Sequence, residues 1–170
     1  GNGAASATND SIALGTGAGQ GTGTEVNDPG QRHSFIAIGK NAGQNMDGNE
    51  AIAIGVSAGS NTTNSEQVAI GTQAGTYLNG EPNDSLGYQA NQYDAAQNIR
   101  HATAIGGLSR AATDGVAVGY AAEAASSGVA VGAGAIADAG SIPLGTNSHA
   151  TNVSGASYLT GLAYNGPSVS

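Results

Sequence analysis

The residues in this chain best suited to acid–base or metal chemistry are three histidines, and their spacing favours neither. His33, His101 and His149 lie far apart, none has a partner at i+4, and none lies in a cluster of possible ligands. We therefore expect each to be a solvated loop residue. The chain has no cysteine, which excludes a disulfide framework and a thiolate zinc site. The pattern predicts no catalytic residue, no metal site and no cofactor.

The glycine-rich run 17–21 resembles a phosphate-binding loop, but no lysine follows it and no helix is expected there. The net charge of −8 reflects only four basic residues against twelve acidic ones. A surface of this sign repels phosphate backbones and anionic lipids, so we expect no nucleic-acid partner and no direct membrane contact. The chain also lacks an apolar run of about 18 residues that could span a bilayer.

The dominant feature of the sequence is a short phrase, apolar–Ala–apolar–Gly, that recurs along the chain. Its closing glycines are separated by 24, 16, 16, 16, 19, 13, 13 and 13 residues. Repetition at such periods is typical of a stacked array, in which one unit cannot bury its own apolar side and lies on its neighbour. The copy at 84–87 is degenerate, and Pro143 replaces the alanine of the last copy. The closing glycines are Gly15, Gly39, Gly55, Gly71, Gly87, Gly106, Gly119, Gly132 and Gly145.

Each phrase alternates large and small side chains, which is the period-2 pattern of a short strand. The closing glycine suits a tight turn, where a positive φ carries no Cβ penalty. Small residues after the turn, as at 122–124, indicate a second short strand. One repeat is then one coil of a parallel β-solenoid, so we predict an all-β fold of about nine short two-strand coils. Because Pro143 removes a ladder donor, we expect the ninth coil to lie near an edge.

The two faces of each strand are assigned by side-chain size. We expect the large aliphatic side chains to fill the core, and the alanines to face other chains around a symmetry axis; the alternative is that the alanines are simply solvated. Two large residues per coil bury too little apolar surface for a lone rod, which indicates association. This assignment predicts that Ile54→Asp collapses the fold and that Ala53→Glu breaks the oligomer. The predicted core is Ile12, Leu14, Ile36, Ile38, Ile52, Ile54, Val68, Ile70, Ile105, Val116, Val118, Val129, Val131, Ile142 and Leu144, and the predicted contact alanines are Ala13, Ala37, Ala53, Ala69, Ala104, Ala117 and Ala130.

Two insertions interrupt the rhythm, at 17–33 and at 76–101. The second contains Tyr77, Tyr88 and Tyr93 with Arg100 alongside, residue types that are enriched at binding hot spots and here lie in loops. We therefore predict a ligand-binding surface formed by these four residues. The alternative is that the tyrosines fill the gap left by the missing apolar residue at 84. The remaining predicted segments are an N-terminal tip at 1–10, a head at 11–151, and a C-terminal cap or the start of another module at 152–170.

The phrase at 116–119, followed three residues later by alanine, and its copies resemble the head repeat of trimeric autotransporter adhesins, the YadA-like heads of Gram-negative bacteria. The resemblance covers roughly residues 10–150. It implies a left-handed parallel β-roll that forms a homotrimer on the bacterial cell surface, anchored in the outer membrane through regions absent from this chain.

This resemblance also implies a function in cell adhesion and virulence. The implied partners are host extracellular matrix proteins, such as collagen, fibronectin or laminin, or cell-surface receptors, bound by multivalent contacts. Two alternatives from other functional classes remain. One is a monomeric ice- or glycan-binding solenoid, and the other is a solenoid enzyme with a site in the 76–101 insertion.

Overall fold

A computed structural model describes residues 2–3, 11–21, 34–46, 50–63, 66–79, 83–92, 97–156 and 163–167. These residues form an all-β parallel solenoid without a helix, which confirms that part of the predicted fold class. Eight strands form one parallel sheet, in the order β1-β2-β3-β4-β6-β8-β10-β12. The strands are β1 (Ile12–Leu14), β2 (Phe35–Ile38), β3 (Ala51–Ile54), β4 (Val68–Ile70), β5 (Leu78–Asn79), β6 (Asn83–Leu86), β7 (Gln97–Asn98), β8 (Ala102–Ile105), β9 (Arg110–Ala111), β10 (Val116–Val118), β11 (Glu123–Ala124), β12 (Val129–Val131), β13 (Ile136–Ala137), β14 (His149–Ala150), β15 (Asn152–Ala156) and β16 (Ala163–Pro167).

The main sheet aligns the repeated phrases residue for residue. Ala53 pairs with Ala69, and Ala69 pairs with Ser85 of the degenerate copy. Ser85 pairs in turn with Ala104, so the degenerate copy keeps the register of its neighbours. Equivalent positions of the repeat therefore form straight columns along the solenoid.

The last phrase lies at the end of the main sheet. It joins the sheet through a single bridge between Val131 and Leu144. Pro143 is buried at the alanine position and has no amide hydrogen to donate to β12, so the last phrase forms only this bridge and lies at the edge of the sheet, as the sequence predicts. After β14 the parallel order gives way to an antiparallel hairpin of β15 and β16, within the segment predicted to be a cap or another module. The predicted segment boundaries remain predictions.

A second strand of two residues follows the repeated phrase in six turns, as β5, β7, β9, β11, β13 and β14. Four of these strands form one parallel sheet, and β5 and β7 form another. After Gly15, Gly39 and Gly55 the described residues make tight turns instead of a second strand. The fold therefore has about six turns with two strands each, and the predicted number of nine two-strand coils is wrong.

The closing glycines stack on one another at one corner of the solenoid. Their φ angles are strongly positive, for example 134° at Gly55, in a region that L side chains rarely adopt. A Cβ on Gly55 would lie 2.5 Å from the carbonyl oxygen of Gly71, the next glycine in the column. The chain can turn this corner only without a side chain, which explains why each phrase ends in glycine.

At the repeated phrase, alanine, and not isoleucine or valine, lines the interior of the solenoid. Ala53 is fully buried, and the residues that face it across the turn are also small. A Cβ placed on Gly59 would lie 3.1 Å from the methyl carbon of Ala53, closer than ordinary van der Waals contact. The opposite sides of a turn are therefore so close together that methyl-sized groups already fill the space between them.

This geometry reverses the predicted faces. The alternation is correct, but the assignment by size is wrong, because the space behind the repeated phrase is too narrow to enclose isoleucine. The residues predicted as core point outward, with side chains half-buried or 37–59% exposed: Ile12, Leu14, Ile36, Ile38, Ile52, Ile54, Val68, Ile70, Ile105, Val116, Val118, Val129, Val131, Ile142 and Leu144. The alanines predicted to face other chains, or alternatively solvent, line the interior: Ala37, Ala53, Ala69, Ala104, Ala117 and Ala130 fully, and Ala13 partly.

The longer turns enclose some larger and some polar side chains in addition. Met46 and Leu78 are almost fully buried. In β6 the side chain of Asn83 donates to the carbonyl of Ile99 at 2.8 Å and accepts from the amide of Ala102 at 3.0 Å. These two bonds fasten β6 to the following turn, where the interior no longer depends on apolar packing alone.

The glycine column yields the first prediction. We expect Gly55→Ala to lower the free energy of unfolding by about 3 kcal/mol or more, because it combines backbone strain with a clash against the next glycine. Gly145→Ala is the matched control, since its φ is 122° but no atom lies within 4 Å of the added Cβ. The control substitution should lower the free energy of unfolding by only about 1–2 kcal/mol, because it adds backbone strain without a clash. Urea unfolding at equal protein concentration measures both, and equal losses would contradict the stacking argument.

The alanine interior yields the second prediction. The hydroxyl of Ser85 is buried between two alanines and has no hydrogen-bond partner among the described residues. We expect Ser85→Ala to raise the free energy of unfolding by about 1 kcal/mol, because it removes an unsatisfied polar group. Ser109→Ala is the control, because the buried hydroxyl of Ser109 donates to the carbonyl of Gly106 at 2.8 Å. Removing this hydrogen bond should lower the free energy of unfolding by about 1 kcal/mol. Destabilisation by both substitutions would refute this account of the interior.

Candidate interaction surface

The outward side of the main sheet carries two columns of largely aliphatic side chains, which we call together the aliphatic face. The closing column holds the residue before each closing glycine, and the opening column holds the residue two positions earlier. Every member of the closing column is isoleucine, leucine or valine, whereas two members of the opening column are polar. The closing column is Leu14, Ile38, Ile54, Ile70, Leu86, Ile105, Val118, Val131 and Leu144, and the opening column is Ile12, Ile36, Ile52, Val68, Asp84, Thr103, Val116, Val129 and Ile142.

The register of the main sheet makes these columns continuous. Ile54, for example, pairs with Ile38 on one side and with Ile70 on the other. Neighbouring strands lie about 4.8 Å apart, so nine phrases give a face about 40 Å long. Isoleucine and valine also favour the extended backbone of a strand, so the same residues form the sheet and supply its outer surface.

The aliphatic face is larger than the apolar patches that single soluble chains usually expose. From the exposed fractions of its side chains we estimate on the order of 900 Å² of apolar surface, against about 300–600 Å² for the largest patch on a typical monomer. A standard protein–protein interface buries about 800 Å² on each partner. The aliphatic face therefore has the size and the chemistry of an interface.

The four residues predicted to form a ligand site are spread over different parts of their turns. Tyr77 is 37% exposed and its amide donates to the carbonyl of Ser60. Tyr88 is 55% exposed and directly follows its closing glycine, whereas Tyr77 is the sixth residue after its own closing glycine. Arg100 is exposed just before β8, and Tyr93 lies outside the described residues. The side chains of Tyr77 and Tyr88 point outward, so neither fills the interior as the alternative required.

The structure brings Tyr88 close to a tyrosine that the prediction left out, Tyr120. The amide of Leu108 donates to the carbonyl of Tyr88, and the amide of Ala121 to that of Gly107, both at 2.8 Å. Tyr88, Gly107 and Tyr120 thus occupy the same position in three consecutive turns. The ring of Tyr120 lies 3.5 Å from where a Cβ on Gly107 would be, so it covers a turn without a side chain.

We call Tyr88, Leu108 and Tyr120 the tyrosine patch. Their side chains are 55%, 38% and 63% exposed, so the patch offers aromatic and aliphatic surface beside the corner of the closing glycines. The sequence carried a signal for it, because Tyr88 and Tyr120 both directly follow a closing glycine. In the sequence this shared position favours a role of Tyr88 in the repeat, and Tyr120 is not among the residues predicted to bind a ligand.

The histidines within the described residues are exposed, as predicted, but His149 lies in β14 and not in a loop. His101 Nδ1 lies 2.9 Å from Asp114 Oδ1, and His149 Nε2 lies 3.4 Å from Asp138 Oδ1, with the four side chains 47–61% exposed. Exposed pairs of this kind contribute about 0–1 kcal/mol. His33 falls outside the described residues, so its position remains a prediction.

The glycine-rich run 17–21 is one of the tight turns of the solenoid. The amide of Gly17 donates to the carbonyl of Asn2 at 3.1 Å, and the amide of Gly19 to that of Ala42 at 2.9 Å. These amides therefore bond to neighbouring turns and do not form a cradle for phosphate. Within the part of the chain that the structure describes, no group of three or more histidine, cysteine or acidic side chains could hold a metal ion. No helix there is long and apolar enough to cross a membrane.

Comparison with known proteins gave no match. The chain matches no protein-family model, no curated protein and no solved structure. Its function is therefore argued from the surfaces described above and from the repeated phrase.

The reversed faces yield a prediction in which two neighbouring residues receive the same substitution. We expect Ile54→Asp to leave the β-sheet signal in circular dichroism unchanged, because its side chain points outward. Ala53→Asp should abolish folding, because an unpaired carboxylate in the interior costs several kcal/mol. A folded Ala53→Asp variant together with an unfolded Ile54→Asp variant would restore the original assignment of the faces.

Proposed function

We propose that this chain is the adhesive head of a bacterial surface fibre and works as a homotrimer in which other copies of the chain cover the aliphatic face. The observation that carries the proposal is that face, nine phrases long with an unbroken closing column. The resemblance of the phrase to YadA-like heads supports it separately. A parallel solenoid is compatible with the left-handed β-roll of those heads.

A further copy of the chain fits the aliphatic face better than an unrelated partner does. The face is straight and periodic, and it carries one acidic residue, Asp84. An identical face repeats at the same spacing of about 4.8 Å per turn, so apolar contacts match along the whole length. Rotation about an axis parallel to the solenoid closes such an assembly without leaving an uncovered face. The number of three copies rests on the resemblance.

The sides of the assembled head would carry the adhesive contacts. The tyrosine patch is the exposed surface whose residue types best suit a protein partner, because tyrosine is enriched in binding hot spots. Three copies on a rigid scaffold would raise weak binding by about 10²–10⁴ through avidity. The proposed partners are host extracellular matrix proteins or cell-surface receptors. Anchoring in the outer membrane through other regions of a longer protein belongs to the same proposal.

A second candidate function is a monomeric glycan-binding solenoid. The position of the Tyr120 ring over Gly107 favours it, because an exposed aromatic ring beside an open turn offers an apolar face and a hydroxyl group to a sugar. In this alternative the tyrosine patch alone binds ligand, and association through the aliphatic face is not required.

The experiment that separates the two functions compares the unmodified chain with Ile54→Asp, which is expected to fold but not to associate. Both proteins are titrated onto immobilised collagen, fibronectin, laminin and a panel of glycans. The adhesive trimer predicts saturable binding to at least one matrix protein and a loss of about 10²-fold or more in Ile54→Asp. Equal binding of a glycan by both proteins would favour the monomeric alternative.

A variant of the tyrosine patch tests the contact surface itself. We expect Tyr88→Ala combined with Tyr120→Ala to weaken matrix binding at least tenfold while leaving the assembled mass unchanged, because both side chains are exposed. Tyr77→Ala, which lies outside the patch, is the control. Unchanged binding by the double variant would remove the patch from the proposal and leave the association in place.

A further inference from the structure

We propose that Asp84 and Thr103 hold the associated copies in axial register. This inference rests on the proposed association through the aliphatic face. Asp84 is exposed, Thr103 is half-buried, and the two pair directly across β6 and β8. The opening column continues with Val68 on one side of them and with Val116 on the other. We call Asp84 and Thr103 the polar step.

The polar step lies in an undistorted part of the sheet. β6 keeps its register with β4 on one side and with β8 on the other. The side chain of Asn83 fastens β6 to the next turn from inside, through its bonds to Ile99 and Ala102. Leu86 continues the closing column in the same strand. The polar side chains therefore face outward at the same height and in the same line as the aliphatic residues that they replace.

A purely periodic face leaves the alignment of two copies poorly defined. With similar aliphatic residues every 4.8 Å or so, sliding one copy by a turn preserves nearly every contact except those at the ends. A polar group within an apolar interface specifies register at a cost in stability. The polar step interrupts the opening column in this way, whereas the closing column supplies continuous apolar contact.

The cost of sliding follows from the position of the step. In aligned copies the carboxylates and hydroxyls lie together, where water can enter between them. Sliding by two turns sets each Asp84 against Ile52 or Val116 of another copy, which removes water from a charge without giving it a partner. Because the step occupies the fifth and sixth of nine phrases, sliding in either direction brings it against aliphatic residues.

The test exchanges two residues and leaves composition and net charge unchanged. The variant Asp84→Val with Val116→Asp moves the carboxylate by two turns along the opening column. It is refolded at equal concentration with the unmodified chain, one of the two carrying an isotopic mass label, and the assemblies are analysed by native mass spectrometry. Random mixing would give about three quarters mixed trimers. We expect the proportion of mixed trimers to be less than about a tenth of the random value, because aligned copies would set each carboxylate against a valine of the other variant.

The control is a mixture of labelled and unlabelled unmodified chains, which should mix at random. Random mixing of the exchange variant with the unmodified chain would overturn the inference and leave the association intact. If the unmodified chain remains a monomer in the control, the proposed association fails, and the inference fails with it.

A second variant keeps the inference testable if the exchange variant does not fold. Asp84→Val with Thr103→Val replaces the step by aliphatic residues and leaves the interior residues of both strands unchanged. We expect this variant to associate at a concentration at least tenfold lower than the unmodified chain, since the step costs stability. Weaker association would show that the step is an attractive contact and would overturn its role in register.

Discussion

Behind the repeated phrase the interior of the solenoid is only wide enough for methyl-sized side chains, and the rest of the structure depends on this limit. The glycine column sets the limit at one corner, since Gly55 passes so close to Gly71 that no side chain fits between them. Alanines such as Ala53 then fill the inside, and the alternation of the strand directs isoleucine, leucine and valine outward. The apolar surface that would form the core of an ordinary domain becomes the outer face of this one.

Much of this fold is predictable from the sequence. The spacing of the closing glycines predicts the stacking, and the alternation predicts which residues share a face. Even the degenerate copy could be aligned, because Leu86 and Gly87 preserve the end of the phrase and the sheet keeps Ser85 between two alanines. Pro143 likewise indicates where the main sheet ends, because proline cannot donate the ladder hydrogen bond to the preceding strand.

The side of the sheet that faces inward could not be read from the alternation, because a period of two is the same seen from either face. Assigning the core by side-chain size fails here, because the space behind each repeated phrase is too narrow for an isoleucine. The small residues three positions after each closing glycine, such as Ala58 and Ala122, carried the missing signal, since they lie opposite the strand and leave no room for a large partner. The equivalence of Tyr88 and Tyr120 is visible in the repeat, but their exposure is not, because it depends on how the turns stack around Gly107.

The two columns of the aliphatic face divide the proposed assembly into separate tasks. The closing column supplies continuous apolar contact, the polar step of the opening column supplies alignment, and the tyrosine patch remains exposed for a ligand. This division follows from one constraint on the interior, because the same alternation that buries alanine exposes everything used for association. A thin alanine core is also a reason to expect the proposed association to stabilise the fold, since each turn buries little apolar surface of its own.

Sedimentation equilibrium of the unmodified 170-residue chain over a wide range of concentrations tests the central claim most directly. The account predicts a single species with the mass of three chains, which persists on dilution because the aliphatic face is buried between copies. A stable species of 16.3 kDa at every concentration would contradict it, since the aliphatic face would then be open to water in the native protein.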